Sequence, residues 1–499
     1  MTDAAVVIGS GPNGLAAAIR LAEAGRPVLV LEAADRPGGA VRTEELTLPG
    51  FLHDTFSSVY PAGAASPVFA RMGLERHGLE WVQPAACSAH PLPGGRAIAL
   101  YRDIEMTGAS IDRTHPGDGA GWRGFVTPLL ERFDAVRATM LSGFPPVRGA
   151  LRLTGRGPRE ALRFAALVPD TARRLGRRLF TGADARAWLY GAAMHGDVPP
   201  GGPGSAVAAA YLNLLGHAVG WPSPRGGAER LTDALVARLR ELGGEVRCSA
   251  RVTAIHASRR RVTGVTIEGG ERMAASIVVA DVMPHALLEL AGEALPSAYR
   301  ALLGRYRYGP ATVKVDWALD GPIPWEAPEA RQAGTIHLGG GEQELLAAIA
   351  TARRGSPERP CLLLGQQTIA DPSRAPVGKH TAWAYAHGPR DLDWAVQTPR
   401  WVERMEAHVE RYAPGFRQRI LARHVLGPAE LQARDANLVG GDVGGGTYRL
   451  DQVLFRPLPS PSPYRTPIRG LVIGSAATFP GGAVHGVPGD AAARAALRC

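Results

Sequence analysis

Lysine and cysteine are scarce in this 499-residue chain, which holds two lysines among 56 basic residues and four cysteines. The cysteines stand far apart, at Cys87, Cys248, Cys361 and Cys499. A redox disulfide needs two cysteines close in sequence, so the spacing excludes a disulfide reductase and supplies no metal site. Scattered, unpaired cysteines are typical of a reducing compartment, so we expect a cytoplasmic protein.

Long apolar runs are also lacking, so we expect no membrane-spanning helix, and the first residues do not resemble a signal peptide. The sequence has no HExxH, P-loop or CxxC motif, which argues against metalloprotease, kinase-like and thiol chemistry. The net charge of +10 is spread along the chain without a nucleic-acid-binding motif, so we expect no nucleic-acid partner. The densest basic stretch, Arg173–Arg178, favours a solvent-facing helix; contact with an anionic membrane surface is the alternative.

The first forty-two residues carry the strongest pattern in the chain. An apolar strand at 4–8 is followed by a glycine-rich loop at 9–14, a helix at 15–24 and a second strand that ends at Glu32. Strand, loop, helix and acidic strand end are all in register for a dinucleotide-binding βαβ unit.

Each part of this unit has a physical role. Gly9 permits the tight turn, Gly11 lets a diphosphate approach the backbone, and Gly14 lets the helix pack closely on the sheet. The helix N-terminus faces the phosphates, and Glu32 is placed to accept a ribose hydroxyl. The predicted phosphate loop consists of Gly9, Ser10, Gly11, Pro12, Asn13 and Gly14.

A second glycine pair follows Glu32. The stretch 33–42 resembles the glycine-doublet extension of flavoproteins in the amine oxidase and phytoene desaturase superfamily. That resemblance implies FAD, not NAD, as the cofactor, and no second fingerprint for NAD(P)H is visible. The extension offers backbone N–H groups and two arginines to a diphosphate. Its predicted cofactor-binding residues are Ala33, Arg36, Gly38, Gly39, Ala40, Val41 and Arg42.

The C-terminal end matches the same superfamily. A short strand at 470–476 leads into a glycine-rich loop at 480–489 and an Ala-rich helix at 490–497. This resembles the superfamily's flavin-closing segment, in which a helix N-terminus favours negative charge on the reduced flavin. The cofactor-binding residues carried over from the resemblance are Gly474, Ser475, Gly482, Val484 and Gly486.

The middle of the chain supplies a third piece of the flavin domain. A helix is predicted over 229–242, paired strands over 246–255 and 261–268, and a sheet strand over 276–280. The resemblance implies that the backbone of Val252 contacts the adenine; a plain buried valine is the alternative.

The expected fold class is therefore α/β, with a discontinuous Rossmann-like FAD-binding domain and an α+β substrate-binding domain. We expect residues 1–79, 223–295 and 446–499 in the former, and 80–222 and 296–445 in the latter. Stretches around 437–442, 451–457 and 464–467 resemble a subgroup of phytoene-dehydrogenase-like proteins.

Two residues are candidate catalytic groups. Lys314 lies in a predicted strand at 308–317, which is similar to the strand that carries the flavin-proximal lysine of amine oxidases. An ordinary exposed ion pair with Asp316 on the same strand face is the alternative. His485 lies in the loop expected to border the flavin, where imidazole can exchange a proton near neutral pH; anchoring of the loop is the alternative.

The resemblance implies an FAD-dependent oxidoreductase that oxidises or desaturates an apolar small molecule, with oxygen or a quinone as electron acceptor. One alternative is an amine or amino-acid oxidase that uses oxygen. Lys314 favours it, whereas Ala40 stands where amine oxidases usually have arginine. A second alternative is a non-catalytic escort-type relative, although such proteins lack the intact phosphate loop found here.

Overall fold

The fold is described from a computed structural model, which covers residues 4–146, 149, 151, 152, 154 and 158–498; Cys499 lies outside them. The strands are β1 Ala5–Ile8, β2 Val28–Leu31, β3 Thr43–Glu44, β4 His53–Asp54, β5 Trp81–Val82, β6 Ala86–Leu92, β7 Arg96–Leu100, β8 Ser223–Pro224, β9 Glu245–Arg247, β10 Val252–Ser258, β11 Arg261–Ile267, β12 Arg272–Ala274, β13 Ile277–Ala280, β14 Ala311–Leu319, β15 Ala333–Leu338, β16 Leu362–Gly365, β17 His380–Gly388, β18 Ile420–Leu426 and β19 Leu471–Ile473.

Helices connect and cover these strands. They are α1 Pro12–Glu23, α2 Pro61–Ala64, α3 Pro67–Met72, α4 Ile104–Asp112, α5 Asp118–Leu130, α6 Phe133–Met140, α7 Pro158–Ala166, α8 Ala172–Leu179, α9 Ala183–Ala193, α10 Ser205–Ala218, α11 Glu229–Glu241, α12 Pro284–Ala291, α13 Ser297–Leu303, α14 Pro328–Gln332, α15 Glu342–Ala352, α16 Trp394–Tyr412, α17 Pro428–Arg434, α18 Leu450–Val453 and α19 Val487–Ala496.

A five-stranded parallel sheet in the order β19–β13–β1–β2–β9 joins distant parts of the chain. Four of its strands are short apolar runs, since both faces of the sheet are covered there, whereas the edge strand β9 is largely exposed. Val7 and Val279 pack in one core with helices α1 and α19. Val6 and Val278 point the other way and pack against the antiparallel sheet β10–β11–β12. The α/β fold expected from the sequence is confirmed.

A second, mixed sheet has seven strands in the order β18–β14–β17–β16–β15–β6–β7. Alternation along β14 gives this sheet two chemically different faces. Val313, Val315 and Trp317 pack in a core with residues of helix α16. Lys314 and Asp316, at the alternate positions, belong to the opposite face, as does Tyr385, the partner of Lys314 on β17.

The sequence-based prediction of one strand over 246–255 is wrong. The chain forms two strands, β9 in the parallel sheet and β10 in the antiparallel sheet. A turn separates them, since Ser249 has a φ of 51° and its N–H donates to the carbonyl of Ala34 at 2.7 Å. The predicted strand at 308–317 is shifted to Ala311–Leu319, because it starts only after Pro310.

The basic stretch Arg173–Arg178 forms most of helix α8, and its four arginines are exposed. Thr171 caps the helix by accepting a hydrogen bond from the N–H of Arg174. Within the described ranges, no helix has both the length and the hydropathy that a membrane crossing requires.

The two ends of the chain meet where α19 crosses α1. A Cβ built on Gly489 would lie 1.8 Å from the carbonyl oxygen of Asn13, so only glycine allows this approach. The buried carboxylate of Asp490, in the first turn of α19, accepts from Arg20 on α1 at 2.7 Å and from Arg71 on α3 at 2.8 Å. The contact fixes both helix N-termini relative to each other.

Gly489→Ala tests this contact directly. The added methyl must push α19 from α1, so we expect the free energy of unfolding to fall by about 1–3 kcal/mol or more in urea denaturation. Gly124→Ala, in helix α5, is the matched control because nothing lies within 4 Å of its added Cβ. There we expect no loss, and up to about 1 kcal/mol of gain from helix propensity. Equal stabilities of the two variants would contradict the close packing of α1 and α19.

Candidate functional site

The phosphate loop predicted from the sequence lies between β1 and α1. Gly9 has a φ of 95°, and α1 begins with Pro12 directly after the second glycine. Glu32 holds the loop from the end of β2. Its Oε2 accepts from the N–H of Ser10 at 2.9 Å and from the Ser10 hydroxyl at 2.6 Å, and its Oε1 accepts from the N–H of Ala34 at 2.9 Å.

The glycine-doublet loop lies against the phosphate loop. The N–H of Gly38 donates to the carbonyl of Ser10 at 3.2 Å. A Cβ on Gly39 would lie 3.1 Å from the Cα of Gly11, and both doublet glycines have a positive φ. The two loops therefore touch through their backbones, which places the main chains of both within reach of one diphosphate.

The two arginines of this extension have different surroundings. Arg36 forms an ion pair with Glu44, and its other terminal nitrogen lies 3.8 Å from Glu229. Arg42 is buried and donates weakly to the carbonyl of Arg36 at 3.4 Å, and its Nε has no partner among the described residues. Arg42 is thus the arginine with donor capacity left for a ligand.

Ala40 and Val41 of this extension, and Val252 beyond it, are held by the surrounding structure. The carbonyl of Ala40 accepts from the Ser57 hydroxyl at 2.7 Å, and the carbonyl of Val41 accepts from the Thr232 hydroxyl at 2.9 Å. Val252 starts β10 and is buried. The preceding turn is tied to β2, since the N–H of Ala250 donates to the carbonyl of Glu32 at 2.8 Å.

The C-terminal loop, residues 474–486, leads to α19 and lies near the N-terminal end of α1. The N–H of Gly474 donates to the carbonyl of Ala280 at 3.0 Å, and Ser475 is buried at the end of β19. Ala483 and Val484 follow with φ values of 88° and 49°, and Gly486 with 69°. Left-handed backbone at a β-branched residue is strained, and such strain clusters at ligand-binding sites.

His485 is 3 % exposed, and its hydrogen bonds hold this loop in place. Its Nδ1 accepts from the N–H of Val487 at 3.2 Å, so the ring proton is on Nε2. Its carbonyl accepts from the Ser66 hydroxyl at 2.6 Å. Burial lowers the pKa of His485 to about 4, so the imidazole is neutral at pH 7.

Asp281 is a site residue that the sequence reasoning missed. It follows β13, and its Oδ2 accepts from the N–H of Gly14 at 2.7 Å. Burial raises the pKa of Asp281 to about 8, and the Gly14 N–H opposes that shift. An acidic residue directly after a buried parallel strand was the available signal, but only the fold shows that the strand lies next to β1.

A buried guanidinium lies against the C-terminal loop. Arg456 is 0 % exposed, and its Nη2 donates to the carbonyl of Gly445 at 2.7 Å and to the hydroxyl of Tyr306 at 3.1 Å. Its Cζ lies 5.0 Å from the ring centre of Tyr448. A Cβ on Gly481 would lie 2.1 Å from its Nη1, so this glycine allows the arginine to touch the loop.

A cavity of about 790 Å³ lies between α9, the seven-stranded sheet and residues 447–451. Its volume is within the usual range of small-molecule sites, about 300–1,000 Å³. Most of its wall is apolar, contributed by side chains that include Met194, Val198, Leu338, Leu345, Ile349 and Leu363. No sequence pattern indicated this cavity, because its walls come from five separate stretches of the chain.

Lys314 is only 3 % exposed, so the predicted pair with Asp316 forms in the interior, not at an exposed surface. Its ammonium donates to Asp316 at 2.5 Å and to the carbonyl of Asp54 at 3.1 Å. Asp54 in turn pairs with the fully buried Arg374 at 2.7 Å. Burial raises the pKa of Asp316 to about 6, against the lowering effect of Lys314. Lys314 thus belongs to a buried charge network that joins β4 to the seven-stranded sheet.

Comparison with known proteins agrees with this geometry. The family described as flavin containing amine oxidoreductase matches residues 13–497. The chain belongs to this family. A relative from Rattus norvegicus, pyridine nucleotide-disulfide oxidoreductase domain-containing protein 2, is 28% identical, covering 99% of this chain and 93% of the relative. A lycopene-forming phytoene desaturase from Paracoccus sp. is 27% identical, covering 98% and 96%.

Solved structures of other proteins share the fold. A putrescine oxidase bound to putrescine aligns with a TM-score of 0.62 at 16% identity, covering 100% of this chain and 99% of the other. An oxidoreductase from Methanosarcina mazei aligns with a TM-score of 0.67 at 17% identity, covering 99% and 100%. The superfamily resemblance stated from the sequence is confirmed, and this flavin-family enzyme is an FAD-dependent oxidoreductase. The adjoining glycine loops and the left-handed closing loop fit that cofactor.

Asp281→Asn should change how stability depends on pH. The folded-state pKa is about 8 and the usual value is 3.8, so between these values only the folded chain holds the proton. Stability therefore falls as pH rises through this window, by up to about 1.4 kcal/mol per pH unit. We expect urea unfolding of flavin-free Asp281→Asn to lose this slope. Asp391→Asn, at an exposed aspartate, should keep it. Parallel curves for Asp281→Asn and the parent would contradict the raised pKa.

Lys314→Met should leave the Asp316 carboxylate buried without its partner. We expect the free energy of unfolding to drop by about 3–5 kcal/mol in urea denaturation. The double variant with Asp316→Asn should recover part of that loss. Lys379→Met is the control, since the chain's other lysine pairs with Asp320 at the surface, and it should cost less than about 1 kcal/mol. Additive losses at 314 and 316 would contradict a coupled pair.

Proposed function

We propose that this enzyme is a phytoene-dehydrogenase-like oxidoreductase that removes a hydride equivalent from an apolar small molecule. The observation that carries the proposal is the position of the apolar cavity. Thr447 and Arg449 line it, and Tyr448 between them faces the other way, toward the C-terminal loop. A Cβ on Gly482 would lie 3.1 Å from the Tyr448 hydroxyl. One residue thus separates the cavity from the loop proposed to border the flavin.

The proposal includes a division of the chain into two domains. Segments 1–79, 223–295 and 446–499 would form the FAD-binding domain, and segments 80–222 and 296–445 the substrate-binding domain. The parallel sheet takes its strands from the first set and the seven-stranded sheet takes its strands from the second, which supports this division.

In this proposal the chain's own residues bind the cofactor, orient the substrate and exclude water from the cavity. The backbone of the phosphate loop and the doublet loop, with Arg42, would hold the diphosphate, and Glu32 the ribose. The N-terminal ends of α1 and α19 would place partial positive charge at the cofactor. Bound FAD supplies the acceptor for two electrons and a proton. The buried apolar wall of the cavity keeps water from the reacting bond.

Lys314 and His485 remain the proposed catalytic groups. Lys314 belongs to the same sheet face as Tyr385 and His387, both of which line the cavity. Its ammonium donates to both carboxylate oxygens of Asp316 and to the carbonyl of Asp54, so all three of its donors have acceptors. The neutral imidazole of His485 keeps a proton on Nε2 while its Nδ1 anchors α19. Lys314 would donate to the reacting centre by exchanging one of these acceptors, and His485 would donate through its Nε2 proton.

Two other functions are the competing proposals. An amine or amino-acid oxidase would use oxygen directly, and a non-catalytic escort-type relative would bind no flavin. The intact glycine loops support the two flavin-dependent functions, the dehydrogenase and the oxidase, over the escort-type protein. The relatives named phytoene desaturase, at 27% identity, support the apolar substrate. For location, we propose the cytoplasm, with the exposed arginines of α8 offering peripheral contact to an anionic membrane.

Anaerobic photoreduction separates these functions. We expect the purified protein to show the absorption spectrum of bound FAD, and the photoreduced protein to stay reduced for minutes after air is admitted. Addition of a quinone should then restore the oxidised spectrum. Reoxidation by air within seconds would instead support an oxidase. Absence of flavin, even after incubation with FAD, would contradict every enzymatic proposal.

A further inference from the structure

The mouth of the cavity is basic. Four arginines line it and are exposed to solvent, whereas the inner wall residues His337 and Leu338 are buried. The cavity therefore runs from a cationic opening to an apolar interior. The four arginines are Arg307, Arg353, Arg390 and Arg449.

Two of these charges are shared with a carboxylate. Asp451 forms an ion pair with Arg307, and its other oxygen lies 3.6 Å from the Nε of Arg449. The cavity's other carboxylate, Asp197, is used elsewhere. It accepts from the N–H of Tyr448 at 2.6 Å and from the hydroxyl of Thr447. Neither carboxylate forms an ion pair with Arg353 or Arg390.

Neither Arg353 nor Arg390 has a carboxylate partner among the described residues. Within the part of the chain that the structure describes, the side chain of Arg353 forms no hydrogen bond or ion pair. Arg390 donates only to carbonyl oxygens, of Val439 at 2.6 Å and of Gly309 at 3.3 Å, and lies 5.4 Å from the ring centre of Tyr308. Two guanidinium charges thus stay uncompensated at the opening of an apolar cavity.

We propose that the substrate is an amphipathic anion, with an apolar chain in the cavity and a carboxylate or phosphate at the opening, in the positive field of Arg353 and Arg390. Guanidinium groups bind either oxyanion through paired N–H donors. A cationic amine would be repelled at the same opening. The inference rests on the proposed function, because it takes the cavity as the substrate site, and it adds a charged end to the apolar substrate proposed there.

Four ligands with the same dodecyl chain test the charge requirement: dodecanoate, dodecyl phosphate, dodecanol and dodecylamine. Their binding to the FAD-loaded protein is measured by calorimetry at low salt, below the concentrations at which micelles form. We expect at least one anion to bind about tenfold or more tightly than the alcohol, and the amine to bind most weakly. The tighter anion identifies the headgroup as carboxylate or phosphate.

Matched arginine variants locate the charge. Arg353→Ala and Arg390→Ala should each weaken anion binding about tenfold and leave alcohol binding unchanged. Arg354→Ala is the control, because Arg354 is the exposed neighbour of Arg353 but does not line the cavity. It should change neither affinity.

Alcohol binding as tight as anion binding would overturn the proposal, as would equal effects of Arg353→Ala and Arg354→Ala. The proposed function fails separately, through absence of flavin or fast reoxidation by air. A flavin-loaded, slowly reoxidised protein that prefers the alcohol would thus overturn only the inference about the anion.

Discussion

The contact between the first and the last described helices is the constraint on which the rest of the site depends. Gly489 of α19 touches the backbone of Asn13 in α1, and Asp490 holds Arg20 and Arg71 beside it. This contact brings the N-terminal phosphate loop and the C-terminal closing loop into one site. Helix N-termini that converge in this way form a site for negative charge, for which the phosphates of FAD are suited.

Buried carboxyl groups keep the glycine loops in place. Glu32 binds Ser10 and Ala34, and Asp281 binds the N–H of Gly14. In the seven-stranded sheet, the pair of Lys314 and Asp316 connects β14 to the carbonyl of Asp54. Polar groups buried in this way need their partners, so the site is held rigidly by the protein itself. Such rigidity lets binding energy be used for orientation of the substrate.

The N-terminal βαβ unit was predictable from sequence, because it is contiguous and its glycines serve local backbone geometry. The contacts that surround it were not. Asp281 lies 267 residues from Gly14, and alternation along β14 could not tell whether the Lys314 pair is exposed or buried. The turn at Ser249 split a predicted strand because tertiary contacts with β2 overrode local propensity. The cavity depends on stretches from 191 to 451, which only the fold brings together.

A crystal structure of the protein with bound FAD tests the central claim most directly. The account predicts the diphosphate against the phosphate loop and the doublet loop where the two touch, and the isoalloxazine ring at the loop of residues 482–486, with one edge open to the apolar cavity. An isoalloxazine ring separated from that cavity by packed side chains would contradict the account. So would a flavin bound away from the two glycine loops.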